Sequence, residues 1–258
     1  MEPTMQEDNG TINVQDFLTR IQQPPKEPDV TPMFYGRKIS LRNAKFSFLE
    51  NGVEVRPQTE GPIDTILIKA APISRSYYEG EYDEANPTSP TCWDDDTREG
   101  RPSSLVPEEN IQSPTCFDCK MNIKGSGKGD SRACRFHQRI AVMLADSEGS
   151  ITDPTLYQIQ LAATSIFGDN PHKMAMQAYA RHLNTHKTPL ASVITEVHFD
   201  RSGVTPKLLF KPKRPVTEEE FTLAVAAQKN PETDNVLSSS TGIQSPFSVE
   251  EGFIFKKS

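Results

Sequence analysis

Cys134-Arg-Phe-His-Gln-Arg-Ile-Ala-Val-Met-Leu-Ala145 is the stretch whose reading decides the fold. Phe136, Ile140, Val142 and Leu144 share one parity, and Arg135, His137 and Arg139 share the other. Neighbouring side chains of an extended strand point to opposite faces, so the pattern predicts a strand with an apolar core face and a basic outer face. Asp146 to Asp153 reads as a turn. Thr155 to Leu161 reads as the partner strand, with Tyr157, Ile159 and Leu161 inward and Gln158 and Gln160 outward.

Outward from this pair, the chain keeps the same logic. Upstream, Ile63 to Ala70 is a mostly apolar strand, and Pro72 marks a bend before Ser74 to Tyr78. Further upstream, Arg37 to Arg56 predicts a hairpin carrying Ile39, Leu41, Phe46 and Phe48, with Asn51-Gly52 as its tight turn. Downstream, Lys173 to His186 predicts a helix with Met176, Tyr179 and Leu183 on one face. Ala191 to Phe199 is a strand with Val193, Val197 and Phe199 inward. After the turn Asp200-Arg-Ser-Gly203, Lys207 to Lys211 places Leu208 and Phe210 on one side and Lys207 and Lys211 on the other. Lys213 and Arg214 extend the basic run. Thr217 with Glu220 forms a capping box, which starts a helix with Phe221, Ala224 and Val225 as its apolar face.

All four cysteines lie in the long segment that runs from the Ser74 to Tyr78 strand to the start of the decisive one: Cys92, Cys116, Cys119 and Cys134. Cys116-Phe-Asp-Cys119 is a C-x-x-C knuckle, whose spacing brings two thiolates from one turn to one ion, and zinc accepts four thiolates in tetrahedral array. Ser89-Pro-Thr-Cys92-Trp-Asp94 is echoed by Ser113-Pro-Thr-Cys116-Phe-Asp118, but Asp95 stands where a second knuckle would need a cysteine. Two disulfides or four unrelated thiols are the alternatives. Met1-Glu-Pro-Thr-Met-Gln-Glu7 has neither the basic nor the apolar region of a secretory leader, which predicts a reducing, cytoplasmic setting and weighs against disulfides. The segment from Glu79 to Glu109 is acidic and proline-rich. Beyond Cys119 the sign reverses, with Lys120, Lys124, Lys128, Arg132, Arg135 and Arg139 against Asp130 alone, and the glycines of Lys124-Gly-Ser-Gly-Lys-Gly129 predict a flexible run.

The order of elements is strand, long insertion, strand, strand, helix, strand, strand. It predicts a mainly β chain: an OB-fold five-stranded barrel with a helix between strands 3 and 4 and a four-cysteine zinc insertion between strands 1 and 2. The boundaries that follow are a flexible arm over residues 1–35, a domain over 36–229 with its insertion at 79–134, and a flexible tail over 230–258. In the arm, Val14, Phe17, Leu18 and Ile21 fall on one face of a short helix stopped by Pro24 and Pro25. That helix either packs on its own domain or serves as a detachable motif for a partner.

The 258 residues are 35% hydrophobic and include 21 prolines, so the chain can bury a core yet leaves much of its length to loops. No apolar run approaches the roughly 18 residues of a membrane span. The formal net charge of −7 argues against a generally basic nucleic-acid binder, unless the cations are gathered on one face. Among enzyme signatures, H-E-x-x-H and G-x-S-x-G are absent. Lys124 to Gly129 is no P-loop, because Asn122 replaces its first glycine and Gly129 its Ser or Thr. An all-cysteine zinc site also leaves no coordination position open, so the reading is of a binding protein rather than an enzyme.

The run Ala133-Cys-Arg-Phe-His-Gln-Arg-Ile-Ala-Val-Met-Leu144, with Tyr157-Gln-Ile-Gln-Leu161, Met176-Gln-Ala-Tyr-Ala-Arg181 and Pro206-Lys-Leu-Leu-Phe210, resembles bacteriophage single-stranded-DNA-binding proteins. The resemblance covers roughly residues 60–228. It implies a viral replication or recombination protein that coats displaced strands in the host cytoplasm, an OB-fold, and structural zinc on Cys92, Cys116, Cys119 and Cys134. The acidic C-terminal tail of that family is not matched, since Glu250 and Glu251 are followed by Lys256 and Lys257. The residues also supply a mechanism of their own. Aromatic faces stack bases of any sequence, and Tyr77, Tyr78, Trp93 and Phe117 flank or lie within the insertion, whereas the parity of Phe136 puts it in the core. Arg75, Lys124, Lys128, Arg132, Arg135, Arg139, Lys207, Lys211 and Lys213 are the candidate phosphate contacts. The competing expectation is a zinc-ribbon adaptor that docks on RNA polymerase or a replication protein and ignores oligonucleotides.

Overall fold

In the computed structural model, which describes residues 36–80, 88–168, 170–203 and 206–238, the decisive stretch is strand β7, Arg135–Leu144, inside a ten-stranded sheet. The arm expected over 1–35, the tail beyond 238 and the acidic residues 81–87 lie outside the described residues. The other strands are β1 (Arg37–Arg42), β2 (Lys45–Glu50), β3 (Val53–Thr59), β4 (Ile63–Ala70), β5 (Ser74–Tyr77), β6 (Cys92–Asp94), β8 (Leu156–Ala162), β9 (Val193–Asp200) and β10 (Lys207–Pro215). Four α-helices accompany them among the described residues: α1 (Ala163–Ile166), α2 (Met176–Thr185), α3 (Glu218–Lys229) and α4 (Pro231–Leu237).

The sheet runs β10-β9-β4-β7-β8-β1-β2-β3 and is curled and open. β7 pairs antiparallel with β4 on one side and with β8 on the other, and β4 pairs antiparallel with β9. Among the described residues β8 and β10 share no ladder. Helix α1 lies at that seam: the Leu208 N–H donates to Ser165 Oγ at 2.9 Å, and the Phe210 N–H donates to the Met174 carbonyl at 2.9 Å. A single-layer five-stranded barrel is therefore too small a description, because β1 continues the sheet beyond β8 by a parallel pairing of Lys38 with Gln158 and Ile39 with Ile159.

The alternation of β7 explains the interior. Ile140, Val142 and Leu144 join Ile39, Phe46, Leu67, Ile159 and Phe210 in the core within the curl. Helix α2 closes this side with the face that the sequence predicts, burying Met176, Tyr179 and Leu183. Tyr179 stacks on Phe210, and its hydroxyl lies 2.6 Å from Thr195 Oγ1, so the one polar atom brought in with that ring is satisfied. Each such fully buried side chain contributes about 1.5–3 kcal/mol.

The outer face is not the solvated surface that alternation suggests. Helices α3 and α4 cover it, and Ala141, Met143, Ile66 and Ile194 pack beneath Ala224, Ala227 and Leu237. Gln158, expected outward, is fully buried and donates from Nε2 to the Val236 carbonyl. Residues 231–237, expected as part of a tail, are thus a helix, started by Asn230 with Pro231 in its first turn. The capping box of Thr217 and Glu220 forms as read. The hairpin expected over Arg37 to Arg56 is a three-stranded meander instead. It has two tight turns, Asn43-Ala44 and Asn51-Gly52, whose residues all have positive φ as turns of this kind need.

Candidate nucleic-acid interface and thiol cluster

Strand β5 holds the site together because it is paired on both sides. β6 pairs with it through Arg75–Asp94, Ser76–Trp93 and Tyr77–Cys92, and β7 through Arg75–Phe136 and Ser76–Arg135. Cys92 is thereby fixed on β6 and Cys134 immediately before β7. The knuckle is tied back by backbone bonds from Cys116 N–H to Gly100 O and from Cys134 N–H to Met121 O, each 2.8 Å. Asn122 Nδ2 donates to the Cys116 carbonyl at 2.9 Å, and Arg132 donates to the Asn122 carbonyl. The glycine-rich run is not a loose strap: the N–H groups of Gly125 and Gly127 both donate to the Ser131 carbonyl, and Ala133 N–H donates to Ser126 Oγ.

All four cysteines are buried, free of disulfides, and line one cavity of about 20 Å³. That volume takes a single small occupant. Among the described residues, no group of three or more His, Cys, Asp or Glu side chains is closed into ligand geometry. The chemistry of the donors nonetheless suits a soft cation. Burial, helped by charge on Asp94 and on neighbouring cysteines and opposed by Arg75, pushes the Cys134 thiol up to about 12 and the Cys116 thiol up to about 11. Burial likewise raises Cys92, while backbone hydrogen bonds from Gln112 and Trp93 favour its thiolate. Four thiolates cannot gather here against one another's repulsion unless a cation neutralises them.

Beside this cluster opens a groove of about 720 Å³. Its walls include Phe117 from the knuckle, Phe136 from β7, Phe167 from the end of α1, and Arg98. Phe117 is 65% exposed and Phe167 is 40% exposed. Phe136 and Phe167 meet edge to face with ring centroids 5.5 Å apart. Phe117 rests against Gly100 so closely that a Cβ there would fall 1.9 Å from the ring. Gly100 also has φ +67°, so two separate constraints favour glycine at this position. Arg75 lies beneath, with its guanidinium carbon 5.1 Å from the Phe136 centroid and 6.0 Å from that of Phe117.

The sequence-predicted residues separate into those the surface offers and those it does not. Phe117 and Tyr78 are exposed, as are Lys124, Lys128, Arg132, Arg135, Lys211 and Lys213. Lys124 pairs with Asp130 at 3.3 Å. The head of Arg132 is engaged with Asn122, which makes it part of the loop's own bonding. Trp93 is buried and packs with Cys92, Val106 and Tyr77, so it is no stacking platform. Arg75 is 3% exposed and forms an ion pair with Asp94 at 2.7 Å, out of reach of a phosphate. Burial raises Asp94 to about 6, with Arg75 opposing that shift. Arg139 is also buried. Lys207 lies beside Asp200 and Lys213 pairs with Asp64, which makes them side chains of an edge strand held by local acids. Lysines on an edge strand also discourage unwanted pairing.

Phe136, Phe167 and Arg98 are the groove residues that sequence reasoning did not select. Phe136 does share the parity of Ile140, but it stands beyond the end of the core, where that face opens into the groove. Arg98 is held by Asp96, which accepts from its Nε at 2.9 Å. Comparisons with known protein families, with curated proteins and with solved structures found no match.

Proposed function

We propose that this chain binds single-stranded DNA without reading its sequence, holding bases against the aromatic groove and phosphates on exposed cations of the insertion. The observation that carries the reading is the convergence of Phe117, Phe136 and Phe167, from three separate segments, on one open groove with Arg98 at its wall. Ring faces stack every base at about 1–3 kcal/mol each, whereas a duplex keeps its bases paired and out of reach. Lys124 and Lys128, both exposed, supply phosphate contacts and with them a salt-dependent affinity.

The OB-fold is part of the same proposal. The order β10-β9-β4-β7-β8 is that of a barrel numbered 5-4-1-2-3, with the cysteine insertion between its first and second strands and α2 between its third and fourth. In such barrels the loop after the first strand borders the oligonucleotide site. We take the four cysteines as a structural zinc site that fixes that loop. A role in phage DNA replication or recombination, in the host cytoplasm, rests on the resemblance of the strand phrases alone. The donor set leaves no open metal position, and the chain is proposed as a binding protein rather than an enzyme.

A zinc-ribbon adaptor for RNA polymerase or a replication protein is the second reading. Leu105 at 72% and Ile123 at 57% exposure favour it, since both are apolar side chains presented by the insertion. Fluorescence anisotropy with labelled single- and double-stranded oligonucleotides separates the two. The proposal expects tight single-strand binding of several unrelated sequences that weakens steeply with salt. Absence of oligonucleotide binding at low salt would hand the insertion to the adaptor reading.

A further inference from the structure

We propose that Arg75 is a positioning residue that sets the aromatic walls of the groove before any ligand arrives. The inference rests on the single-strand reading above and assigns a role inside it. Three observations carry it. First, Arg75 is at the junction of the two segments that bring the walls together, paired in register with Asp94 of β6 on one side and with Phe136 of β7 on the other. Second, its guanidinium is anchored from the buried side: Nε stands 2.7 Å from Asp94 Oδ2, Nη2 donates to the Thr97 carbonyl at 3.3 Å, and Asp94 Oδ1 accepts the Arg75 backbone N–H at 2.8 Å. Third, the same planar cation is within cation–π range of both Phe136 and Phe117, and Phe136 in turn meets Phe167 edge to face.

One buried cation therefore links rings that belong to the knuckle, the central sheet and the seam helix. At 3% exposure it cannot neutralise a phosphate. Its effect on binding comes through the order it imposes on its neighbours: side chains already held in the bound geometry lose less freedom when a base stacks on them. Arginine is suited to this by its planar fork. Lysine keeps the charge beside Asp94 but presents no flat face to two rings and no planar fork whose separate nitrogens reach both Asp94 and Thr97.

The test compares wild type, Arg75→Lys and the charge-balanced pair Arg75→Met with Asp94→Asn, because leaving Asp94 alone and buried could unfold the insertion. Two probes of equal length are used, an oligothymidine and an abasic oligodeoxynucleotide that offers phosphates without bases, each titrated over a range of salt. Arg75→Lys is expected to weaken oligothymidine binding about tenfold while leaving the abasic affinity and both salt slopes unchanged. The double variant is expected to show the same split, with an unchanged melting temperature reporting an intact fold. A salt slope reduced by about 0.7, with equal losses on both probes, would make Arg75 a phosphate ligand and overturn the inference. Unchanged binding of both probes by Arg75→Lys would also overturn it, leaving Arg75 a purely structural partner of Asp94. Failure of the wild type to bind oligothymidine at all would instead sink the single-strand reading itself, and the inference with it.

Discussion

Phe117→Ala tests the groove most directly, because its costs to folding and to binding are of different size. The ring is 65% exposed, so truncation forfeits only about a third of a phenylalanine's burial, roughly 0.5–1 kcal/mol of stability. The cation–π contact with Arg75, at 6.0 Å, adds about 0.5 kcal/mol to that cost. Against this, one lost stacking platform removes about 1–3 kcal/mol of binding, roughly a 5- to 150-fold weakening. The assay is anisotropy with a fluorescent oligothymidine at fixed moderate salt, run beside a thermal melt of the free protein. The expected result is at least a fivefold weaker Kd, a melting temperature lowered by only a few degrees, and an unaltered salt slope because no cation has been removed. A Kd within twofold of wild type would refute the argument, since no arrangement of bases in the groove could then use its most exposed ring.

Further expectations follow from other parts of the site. Protein purified without added metal should carry one zinc per chain by elemental analysis, and a folded, metal-free protein with four titratable thiols would count against the thiol cluster as a zinc site. Trp93, buried beside Cys92, should keep its fluorescence when DNA saturates the protein but change when a chelator strips the metal. Lys124→Ala with Lys128→Ala should weaken single-strand binding and flatten the log–log salt slope by up to about 1.4, as two phosphate contacts require, and an unmoved slope would remove this loop from the interface. Glu220 gives the pH dependence. The hydrogen bonds from Arg214 hold its carboxyl at about 2, below the ordinary 4.5, so it contributes stability above pH 4.5 that is lost as pH falls through about 2. Glu220→Gln should therefore lower the melting temperature at neutral pH, by a cost on the order of 2 kcal/mol, and remove that part of the acid transition. Equal acid sensitivity in the variant would refute the assignment.

Much of the sheet was legible because its signals are local. Alternation over Ile140, Val142 and Leu144, the α2 face of Met176, Tyr179 and Leu183, and the Thr217–Glu220 capping box each depend on residues a few positions apart. What was missed depends on distant parts of the chain. Alternation in β7 implied a solvated outer face, but α3 and α4 arrive about ninety residues later to cover Ala141 and Met143, and Gln158 of β8 goes under with them. Polarity marked Arg75 and Arg139 as surface residues; their burial follows from the pairing of β5 with β6 and from packing around the insertion. The third strand of the meander was hidden by Pro57 and by the largely exposed run Val53 to Gln58, which suits an edge and not a core strand. The cysteines were expected together from one C-x-x-C knuckle, the Ser-Pro-Thr-Cys echo and their confinement to one insertion, and all four line one small cavity. The groove was not expected, since Phe117, Phe136 and Phe167 come from three segments that only the folded chain brings together.

The seam between β8 and β10 has a consequence for how the molecule moves. Leu208 and Phe210 do not have their amides secured there by a neighbouring strand; one depends on the hydroxyl of Ser165 and the other on the carbonyl of Met174. Two bonds to a short helix and its following loop can open without breaking any ladder, which makes the seam a line along which the sheet can breathe. Deuterium should therefore replace the Leu208 and Phe210 amide protons sooner than those of Val142 or Leu67, and Ser165→Ala should hasten the exchange at Leu208 in particular. The curl would owe its spring to that line: a sheet able to widen by a local opening, with its two hydrophobic layers left intact.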